Sequence, residues 1–255
     1  MRIDKLLAHA GYGSRKEVKK LLKERAVHVN GEVVTDPKTN VDPNKQEIII
    51  NGEQVLYKEH VYFMMNKPAG FLSATEDNVQ KTVVDLLDPE DLRYNPFPVG
   101  RLDKDTEGLL LLTSDGQLAH QLTSPKKNVP KKYFAEVIGL VAEEDVERFK
   151  AGVKLDDGYV TKPAWLEIIK ADDISEVFVT ITEGKYHQIK RMFSAVGKKV
   201  KYLKRIQMGT LELDQTLQTG EYRELTKDEL EQLRSIQGQT DDSADFSLQF
   251  EKGLH

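Results

Sequence analysis

The chain of 255 residues is 39% hydrophobic and 31% charged, carries a net charge of −5 and contains no Cys. This composition is that of an ordinary globular protein, it excludes disulfides and thiolate metal sites, and the acidic total by itself argues against a nucleic-acid partner. The first residues lack the apolar core of a signal peptide and no stretch is long enough to span a membrane, so we expect a cytoplasmic protein without a membrane partner.

The charge is unevenly distributed along the chain. Residues 212–255 contain 11 acids and 4 Lys or Arg, which leaves 33 bases against 31 acids in residues 1–211. Residues 2–25 have eight bases against three acids, and residues 185–205 have eight bases and no acid. Dense basic blocks are the usual footprint of phosphate binding, so the distribution favours a nucleic-acid partner in spite of the acidic total.

Two helices are predicted in the first 25 residues. Apolar residues recur at helical spacing over Arg2–Ala10, and glycines interrupt the pattern at residues 11–13. Ser14 then begins a second helix as its N-cap, with Glu17 three residues later completing a capping box. Five bases, which we call the basic arc, lie away from the apolar side of this helix: Arg15, Lys16, Lys19, Lys20 and Lys23.

A hairpin and a strand follow these helices. Asn30-Gly31 predicts the hairpin, and Glu47–Ile50 predicts the strand. Charge alone leaves two interpretations of this unit, a reader of structured RNA or a helical hairpin with a solvated surface. The sequence "RIDKLLAHAGYGSRKEVKKLLKERAVHVNGEVV" resembles the S4 RNA-binding domain over nearly its whole length. The resemblance implies an RNA-binding domain at residues 1–58, with Arg2 and the basic arc as contacts.

A larger domain is predicted over residues 59–234. A buried-strand pattern begins at His60 and stops at Lys67-Pro68, and Leu109–Thr113 predicts a central strand followed by a short helix that Asp115 caps. Three more strands are predicted, at Tyr133–Ile138, Ala164–Ile169 and Glu176–Thr182. Several non-adjacent strands with few long helices predict an α+β fold, in which a small S4-like (α-L) domain precedes a domain with a mixed, mainly antiparallel sheet.

Two helices are predicted in the last third of the chain. In the first, "EGKYHQIKRMFSAVG", the core-facing residues are Ile189, Met192, Phe193 and Val196. The second covers Leu225–Leu233, with Thr226 as N-cap and Glu229 completing a capping box. Residues 235–255 are polar and acidic without a sustained period, so we expect them to be disordered.

Three acids at alternate positions, Asp103, Asp105 and Glu107, directly precede the predicted central strand. A divalent-cation site needs further ligands, but no second acidic or His cluster supplies them and the six His are scattered. The motifs of a Ser-His-acid triad and of a Gly-rich phosphate loop are also missing. A solvated turn and a lone carboxylate acting as nucleophile or base on a bound nucleotide remain, and the spacing does not separate the three acids.

Five motifs in order resemble those of the ribosomal pseudouridine synthases, most closely the RsuA type: "NKPAG", "GRLDKDTEGLLLLTSDG", "KKY", "TKPAWLE" and "EGKYHQIKRMF". The resemblance implies that a uridine of ribosomal RNA is converted to pseudouridine, with uridine 516 of 16S rRNA as the target. Sibling enzymes that act on 23S rRNA share these motifs, and an inactive RNA-binding or ribosome-assembly factor on the same scaffold is the third alternative. Isomerisation requires neither redox chemistry nor energy input, so no cofactor and no metal are expected.

The resemblance also implies roles for individual residues. Asp103 is the catalytic residue, Tyr133 lies against the extruded uracil, and Lys190 pairs with Asp103 and keeps it ionised, at a position where related families often carry Arg. Asp105 and Glu107 are then turn and surface acids. Further basic residues are candidates for RNA phosphates: Arg101, Lys131, Lys132, Lys185 and Arg191. We expect a monomer whose partner is rRNA, either free or within a ribosomal assembly intermediate.

Overall fold

The computed structural model describes residues 1–236. The predicted disordered tail begins at residue 235, and its residues from 237 onwards lie outside the described residues. The helices are Ile3–His9 (α1), Arg15–Lys23 (α2), Pro89–Leu92 (α3), Gly116–Thr123 (α4), Glu143–Ala151 (α5), Gln188–Ala195 (α6) and Lys227–Arg234 (α7). The strands are Val27–Val29 (β1), Glu32–Val33 (β2), Ile48–Ile50 (β3), Glu53–Gln54 (β4), Tyr62–Lys67 (β5), Phe97–Pro98 (β6), Glu107–Thr113 (β7), Lys131–Ile138 (β8), Trp165–Lys170 (β9), Ile174–Ile181 (β10), Lys199–Met208 (β11), Leu211–Glu212 (β12) and Tyr222–Glu224 (β13). Across these 236 residues, no helix combines the length and the apolar character needed to cross a membrane.

Residues 3–57, the N-terminal body, have a core of their own. Strands β1 to β4 form an antiparallel sheet in the order β2-β1-β3-β4, and its apolar residues share one core with those of α1 and α2. The predicted capping box is confirmed, since Ser14 N donates to Glu17 Oε2 at 2.7 Å and Glu17 N donates to Ser14 Oγ at 3.4 Å. The hairpin is also confirmed at Asn30-Gly31, whose φ angles of 50° and 84° are those of a type I′ turn.

One large sheet dominates residues 61–236, the sheet body. Its strand order in the described residues is β13-β5-β7-β11-β8-β10-β9, with β6 added beside β7 and β12 beside β11. Every pair is antiparallel except β7 and β11, which run parallel. The predicted α+β class with a mixed, mainly antiparallel sheet is therefore confirmed.

Strand β7 is covered on both faces. Leu110 and Leu112 belong to a core that includes apolar residues of α5 and α6, whereas Leu109 and Leu111 belong to a second core that includes residues of α4 and α7. A strand buried on both faces is a continuous apolar run in sequence, which explains why "LLLL" predicted a central strand. Asp115 caps α4 as predicted, since its Oδ1 accepts hydrogen bonds at 3.0 Å from Gln117 N and from Leu118 N.

Strand β11 is absent from the sequence prediction, which treats residues 185–205 as one basic block for phosphates. The structure divides this block between α6 and β11, and β11 lies inside the sheet between β7 and β8. Arg205 is only 2% exposed, and its Nε donates to the carbonyl oxygen of Leu109 at 2.7 Å. The interpretation of Arg205 as part of a phosphate-binding surface is therefore wrong, because a guanidinium bonded inside the sheet cannot reach RNA.

Gly108 allows β7 to approach β11 directly after the acid cluster. Its φ is +96°, and a Cβ atom at this position would lie 2.2 Å from the carbonyl oxygen of Arg205. Any other residue would force the two strands apart, since neither backbone can move independently of the sheet. This contact holds the loop before β7, residues 101–106, against the middle of the sheet.

Candidate active site

A cavity of about 770 Å³ opens beside the loop that joins β6 to β7. This loop lines one side, and residues 184–190, which lead into α6 and form its first turn, line another. Tyr133 of β8, Ile181 of β10 and Leu203 of β11 line the cavity from the sheet. Its volume is in the range of pockets that hold small ligands or a single extruded group.

The Asp103 side chain lies in this cavity and is paired with Lys190. Lys190 Nζ is 3.0 Å from Asp103 Oδ2, and about three quarters of each side chain is withdrawn from water, with exposures of 24% and 25%. The two charges therefore attract each other more strongly than on an open surface. Burial by itself lowers the pKa of Lys190, but its hydrogen bonds with Asp105 and Asp103 raise the pKa above the usual value, so Lys190 is charged at neutral pH.

The other two acids of the cluster have different surroundings. Asp105 is 74% exposed, yet its Oδ1 accepts a hydrogen bond from Lys190 Nζ at 2.6 Å. Burial by itself raises the pKa of Asp105, but the hydrogen bond and the charge of Lys190 together hold it below its usual value. Glu107 Oε2 accepts a hydrogen bond from the Tyr202 hydroxyl at 2.7 Å. Lys190 therefore serves two carboxylates, of which Asp103 lines the cavity and Asp105 does not.

Tyr133 is buried in the sheet with one side toward the cavity. It lies between Val179 on β10 and Arg205 on β11, its partners in the two neighbouring strands. A ring that is fixed by strands on both sides has little freedom to rotate. The cavity therefore offers a rigid aromatic surface against which a planar base can pack.

A buried lysine holds the acid-bearing loop from the side of the sheet. Lys67, the last residue of β5, is fully buried, and its Nζ donates to the carbonyl oxygens of Asp103 (3.2 Å), Lys104 (3.3 Å), Thr106 (2.8 Å) and Pro68 (2.9 Å). Burial lowers the pKa of Lys67 to about 8. The sequence prediction used Lys67 only as the end of a strand. The available signal was a lysine adjoining a buried apolar run, where an ammonium group requires several acceptors.

His187 is a second group near Asp103 that the sequence prediction missed. Its Nε2 lies 3.7 Å from Asp103 Oδ1, and its left-handed φ of 49° places it just before α6. The ring of Tyr186 stacks on the His187 ring, with centroids 3.8 Å apart and planes at 18°. Both residues line the cavity. No sequence signal marks His187, because folding alone brings residues 103 and 187 together.

The predicted basic arc lies on the exposed side of α2. Lys20 Nζ is 3.8 Å from Glu24 Oε1, and both side chains are exposed. Within the described part of the chain, none of the other four members of the arc forms an ion pair with a carboxylate; these four are Arg15, Lys16, Lys19 and Lys23. Arg2 differs, since its guanidinium is 2.7 Å from the buried carboxylate of Asp4. The arc is free to meet phosphates, and RNA contact by the arc and by Arg2 stays a prediction.

Two of the predicted RNA contacts in the sheet body, Arg101 and Lys185, line the cavity. The Lys185 Nζ lies 4.6 Å from the centroid of the Tyr159 ring, which is a cation–π contact. Both residues are exposed. Their placement suits a phosphate that approaches the cavity, and their contact with RNA stays a prediction.

Three other predicted contacts already have partners within the protein. Lys131 Nζ donates to the carbonyl oxygen of Val129 at 2.8 Å, and burial lowers the pKa of Lys131 to about 8. Lys132 Nζ lies 4.3 Å from the ring centroid of Phe178 and 3.8 Å from a carboxylate oxygen of Glu167.

Arg191 is the third of these, and its guanidinium pairs with the carboxylates of Asp156 and Asp157, the latter at 2.6 Å. The hydrogen bonds to these two carboxylates raise the pKa of Arg191, and the guanidinium is charged throughout. RNA contact by Lys131, Lys132 and Arg191 stays a prediction, but each would have to share or exchange the partner described here.

Comparison with known protein families matches both bodies. Residues 1–47 match the S4 domain, and residues 61–195 match the family described as RNA pseudouridylate synthase. A protein of Bacillus subtilis described as an uncharacterized RNA pseudouridine synthase is 57% identical over 238 residues, which cover 93% of this chain and 100% of that protein.

Relatives with more specific names are less similar. Ribosomal large subunit pseudouridine synthase B of Bacillus subtilis is 40% identical over 92% of this chain and 96% of its own length. Ribosomal small subunit pseudouridine synthase A of Escherichia coli is also 40% identical, over 90% of this chain and 98% of its own length. A crystal structure of a pseudouridylate synthase superposes with a TM-score of 0.64 at 39% identity, covering 91% of this chain and 99% of that chain.

Proposed function

This chain belongs to the RNA pseudouridylate synthase family, and we propose that it isomerises one uridine of ribosomal RNA to pseudouridine. The observation that carries the proposal is the ion pair of Asp103 with Lys190, 3.0 Å long, in a cavity that Tyr133 also lines. A non-catalytic RNA-binding factor would have no use for a partly buried carboxylate held in this way, since desolvating an ion pair opposes folding.

The proposed reaction rearranges bonds without a net change in composition. The C1′–N1 glycosidic bond of uridine breaks, the uracil turns, and C5 bonds to C1′. C5 loses its proton and N1 gains one, so product and substrate are isomers. Asp103 acts either as a nucleophile, whose bond to C1′ breaks when C5 attacks, or as a base that removes the C2′ proton and returns it once C5 has bonded to C1′. Both roles need the carboxylate to be held beside the sugar, and the ion pair with Lys190 holds it in the cavity.

The substrate uridine must leave the base stack of the RNA to reach Asp103. Extrusion costs a few kcal/mol, which contacts in the cavity have to offset. We propose that the Tyr133 ring packs against the extruded uracil, while Arg101 and Lys185 at the cavity attract the neighbouring phosphates. The basic arc binds the RNA backbone farther away and holds the substrate on the protein.

For the target we propose uridine 516 of 16S rRNA, presented by free RNA or by a ribosomal assembly intermediate. The order and spacing of the five sequence motifs support this choice. The relatives named for the large and the small subunit are both 40% identical to this chain, so overall identity does not indicate which of the two ribosomal RNAs is the substrate. Direct mapping of the modified uridine decides between them.

The deciding experiment maps pseudouridine by carbodiimide primer extension on 16S and 23S rRNA. The strains lack the gene and are complemented with wild type, with Asp103→Asn or with nothing. We expect one primer-extension stop in 16S rRNA that requires the wild-type protein and does not return with Asp103→Asn. A stop in 23S rRNA would reassign the target, and a stop restored by Asp103→Asn would remove Asp103 from catalysis. If neither RNA changes, the non-catalytic alternative is favoured.

A further inference from the structure

We infer that Tyr186 and His187 form a stacking site for one unpaired nucleobase of the substrate RNA, adjacent to the uridine that enters the cavity. The inference rests on the proposed function and adds a contact to it. The site is the outer face of the Tyr186 ring. Tyr186 as a whole residue is 75% exposed, although it lines the same cavity as Asp103. Its inner face is already covered by the His187 ring at 3.8 Å.

The loop that carries this pair is held rigidly. The buried carboxylate of Glu183 accepts hydrogen bonds from the Tyr159 hydroxyl (2.7 Å), from Lys162 N (2.9 Å) and from Gln188 Nε2 (2.9 Å). Gln188 Oε1 in turn accepts a hydrogen bond from Lys185 N at 2.9 Å. The bonds therefore brace the loop on both sides of the exposed ring. A ring fixed in advance loses little conformational entropy on binding, which is a requirement for an efficient stacking surface.

The chemistry around the pair identifies the occupant. Arg101 and Lys185 line the cavity beside the two rings and supply positive charge for a phosphate backbone. Exposed aromatic rings interleaved with cations bind single-stranded nucleic acid, because every base offers a flat face and every linkage a negative charge. An apolar peptide would pack against the ring but would offer these cations no negative charge.

The distances define which nucleotide can occupy the site. His187 Nε2 is 3.7 Å from Asp103 Oδ1, and Tyr186 stacks directly on His187. A base on the free face of Tyr186 is therefore only two stacked rings away from the carboxylate. This separation suits a direct neighbour of the extruded uridine. When the uridine leaves the base stack, the neighbouring base loses its stacking contact with it, and stacking on Tyr186 replaces that contact.

The test uses equilibrium binding, which requires no turnover. The first probe is fluorescently labelled single-stranded oligoadenylate, compared with an abasic chain of the same length. The proteins are wild type, Tyr186→Ala, Tyr186→Phe and, as a matched control, Leu140→Ala, which removes a side chain that is 61% exposed and does not line the cavity. Circular dichroism and thermal unfolding verify that each variant is folded.

We expect Tyr186→Ala to bind oligoadenylate about tenfold more weakly than wild type, and Tyr186→Phe and Leu140→Ala to bind it normally. All four proteins should bind the abasic chain equally well. The second probe is an rRNA hairpin centred on the mapped uridine, with a single abasic nucleotide placed on either side. Wild type should lose affinity at one of these positions, and Tyr186→Ala should be insensitive to both.

Three results would overturn the inference. The first is that wild type binds oligoadenylate no better than the abasic chain. The second is that Tyr186→Ala responds to the abasic positions as wild type does. The third is that Tyr186→Ala binds both probes normally but has a lower kcat, which would mean that Tyr186 only positions His187 beside Asp103. Failure of the proposed function would be distinguishable from these results. In that case the pseudouridine maps would be the same with and without the gene, while wild type would still bind oligoadenylate better than the abasic chain.

Discussion

The two bodies of the chain use their basic residues in opposite ways. On α2 the basic arc is exposed, and four of its five members have no ion pair in residues 1–236. In the sheet body, Lys190 is shared by two carboxylates, Arg191 is paired with two more, and Lys67 is buried among carbonyl oxygens. Unpaired charges attract RNA, whereas paired ones fix geometry. We therefore expect the N-terminal body to govern affinity and the sheet body to govern turnover.

The largest expected effect comes from Asp103→Asn. The amide keeps the shape of the side chain but is neither a nucleophile nor a base, so turnover should fall at least about a thousandfold. RNA affinity should be unchanged, because the basic arc is intact. Tritium release from RNA labelled at uridine C5 measures turnover, and filter binding measures affinity. A large loss of affinity in this variant would contradict the division between the two bodies.

Lys67→Met should impair stability and turnover together. The substitution leaves carbonyl oxygens of the 103–106 loop without their donor, and each buried unsatisfied group costs about 1–3 kcal/mol. We expect the free energy of unfolding to fall by about 2–4 kcal/mol in urea titrations. Lys150→Met, which removes an exposed lysine of α5, is the matched control and should be neutral. Normal stability of Lys67→Met would show that the loop is held by other contacts.

The same variant also tests the effect of burial on Lys67. Because burial lowers the pKa of Lys67 to about 8, the unfolded chain binds this proton more tightly than the folded chain does. The stability of wild type relative to Lys67→Met should therefore be lowest below pH 8 and rise as the pH increases from about 8 towards the ordinary lysine value. A stability difference that is constant over this interval would mean that Lys67 titrates normally.

Lys190→Met should lower turnover. Without the ammonium group at 3.0 Å, the Asp103 carboxylate loses the ion pair that positions it in the cavity. We expect kcat to fall about tenfold or more while RNA affinity stays near wild type. Lys190→Arg, which keeps the charge, is the control and should retain substantial activity. A normal kcat in Lys190→Met would separate Lys190 from catalysis.

The triple substitution Arg15→Ala, Lys19→Ala, Lys23→Ala tests the N-terminal body. Each phosphate contact contributes about 0.7–0.9 to the slope of log affinity against log salt, so the slope should decrease by about two units. The half-saturating RNA concentration should rise, while the rate at saturation stays near wild type. Filter binding at several salt concentrations checks the slope. Normal binding at every salt concentration would transfer the anchoring role to the bases of the sheet body.

The smallest effect is expected for Asp105→Asn. The change removes one of the two carboxylates that share Lys190 and leaves the pair with Asp103 in place. Exposed ion pairs contribute little, so turnover should stay within about twofold of wild type. Tritium release with saturating RNA measures it. Loss of activity here, together with an active Asp103→Asn, would exchange the roles of the two acids.

Local signals in the sequence predicted the parts of the fold that depend on local physics. The capping box at Ser14, the turn at Asn30-Gly31 and the apolar run from Leu109 are each determined by neighbours in sequence, and each is confirmed. Strand β11 was not predicted, because its lysines alternate with partly buried residues such as Tyr202. The charge of these lysines dominates the local composition and hides the strand pattern. Only its neighbours β7 and β8 identify it as an inner strand.

The candidate site shows the same limit. The motif around Asp103 and the helix that carries Lys190 are readable in sequence, and their contact is consistent with the expected pairing. Lys67 and His187 were missed, because their significance depends on which backbone or carboxylate lies next to them after folding. Sequence patterns indicate which residues can do chemistry, and tertiary contacts decide which of them meet.

The parallel pairing of β7 with β11 also has a consequence for the order of events during synthesis. Gly108 pairs with Arg205, and Met65 of β5 pairs with Tyr222 of β13, so the sheet is closed by contacts between distant parts of the chain. Contacts over such separations form slowly, and none can form before the later strand has left the ribosome. The apolar core of the N-terminal body consists only of residues within 3–57. A nascent chain can therefore form this core, and expose the basic arc, well before the sheet around Asp103 is complete.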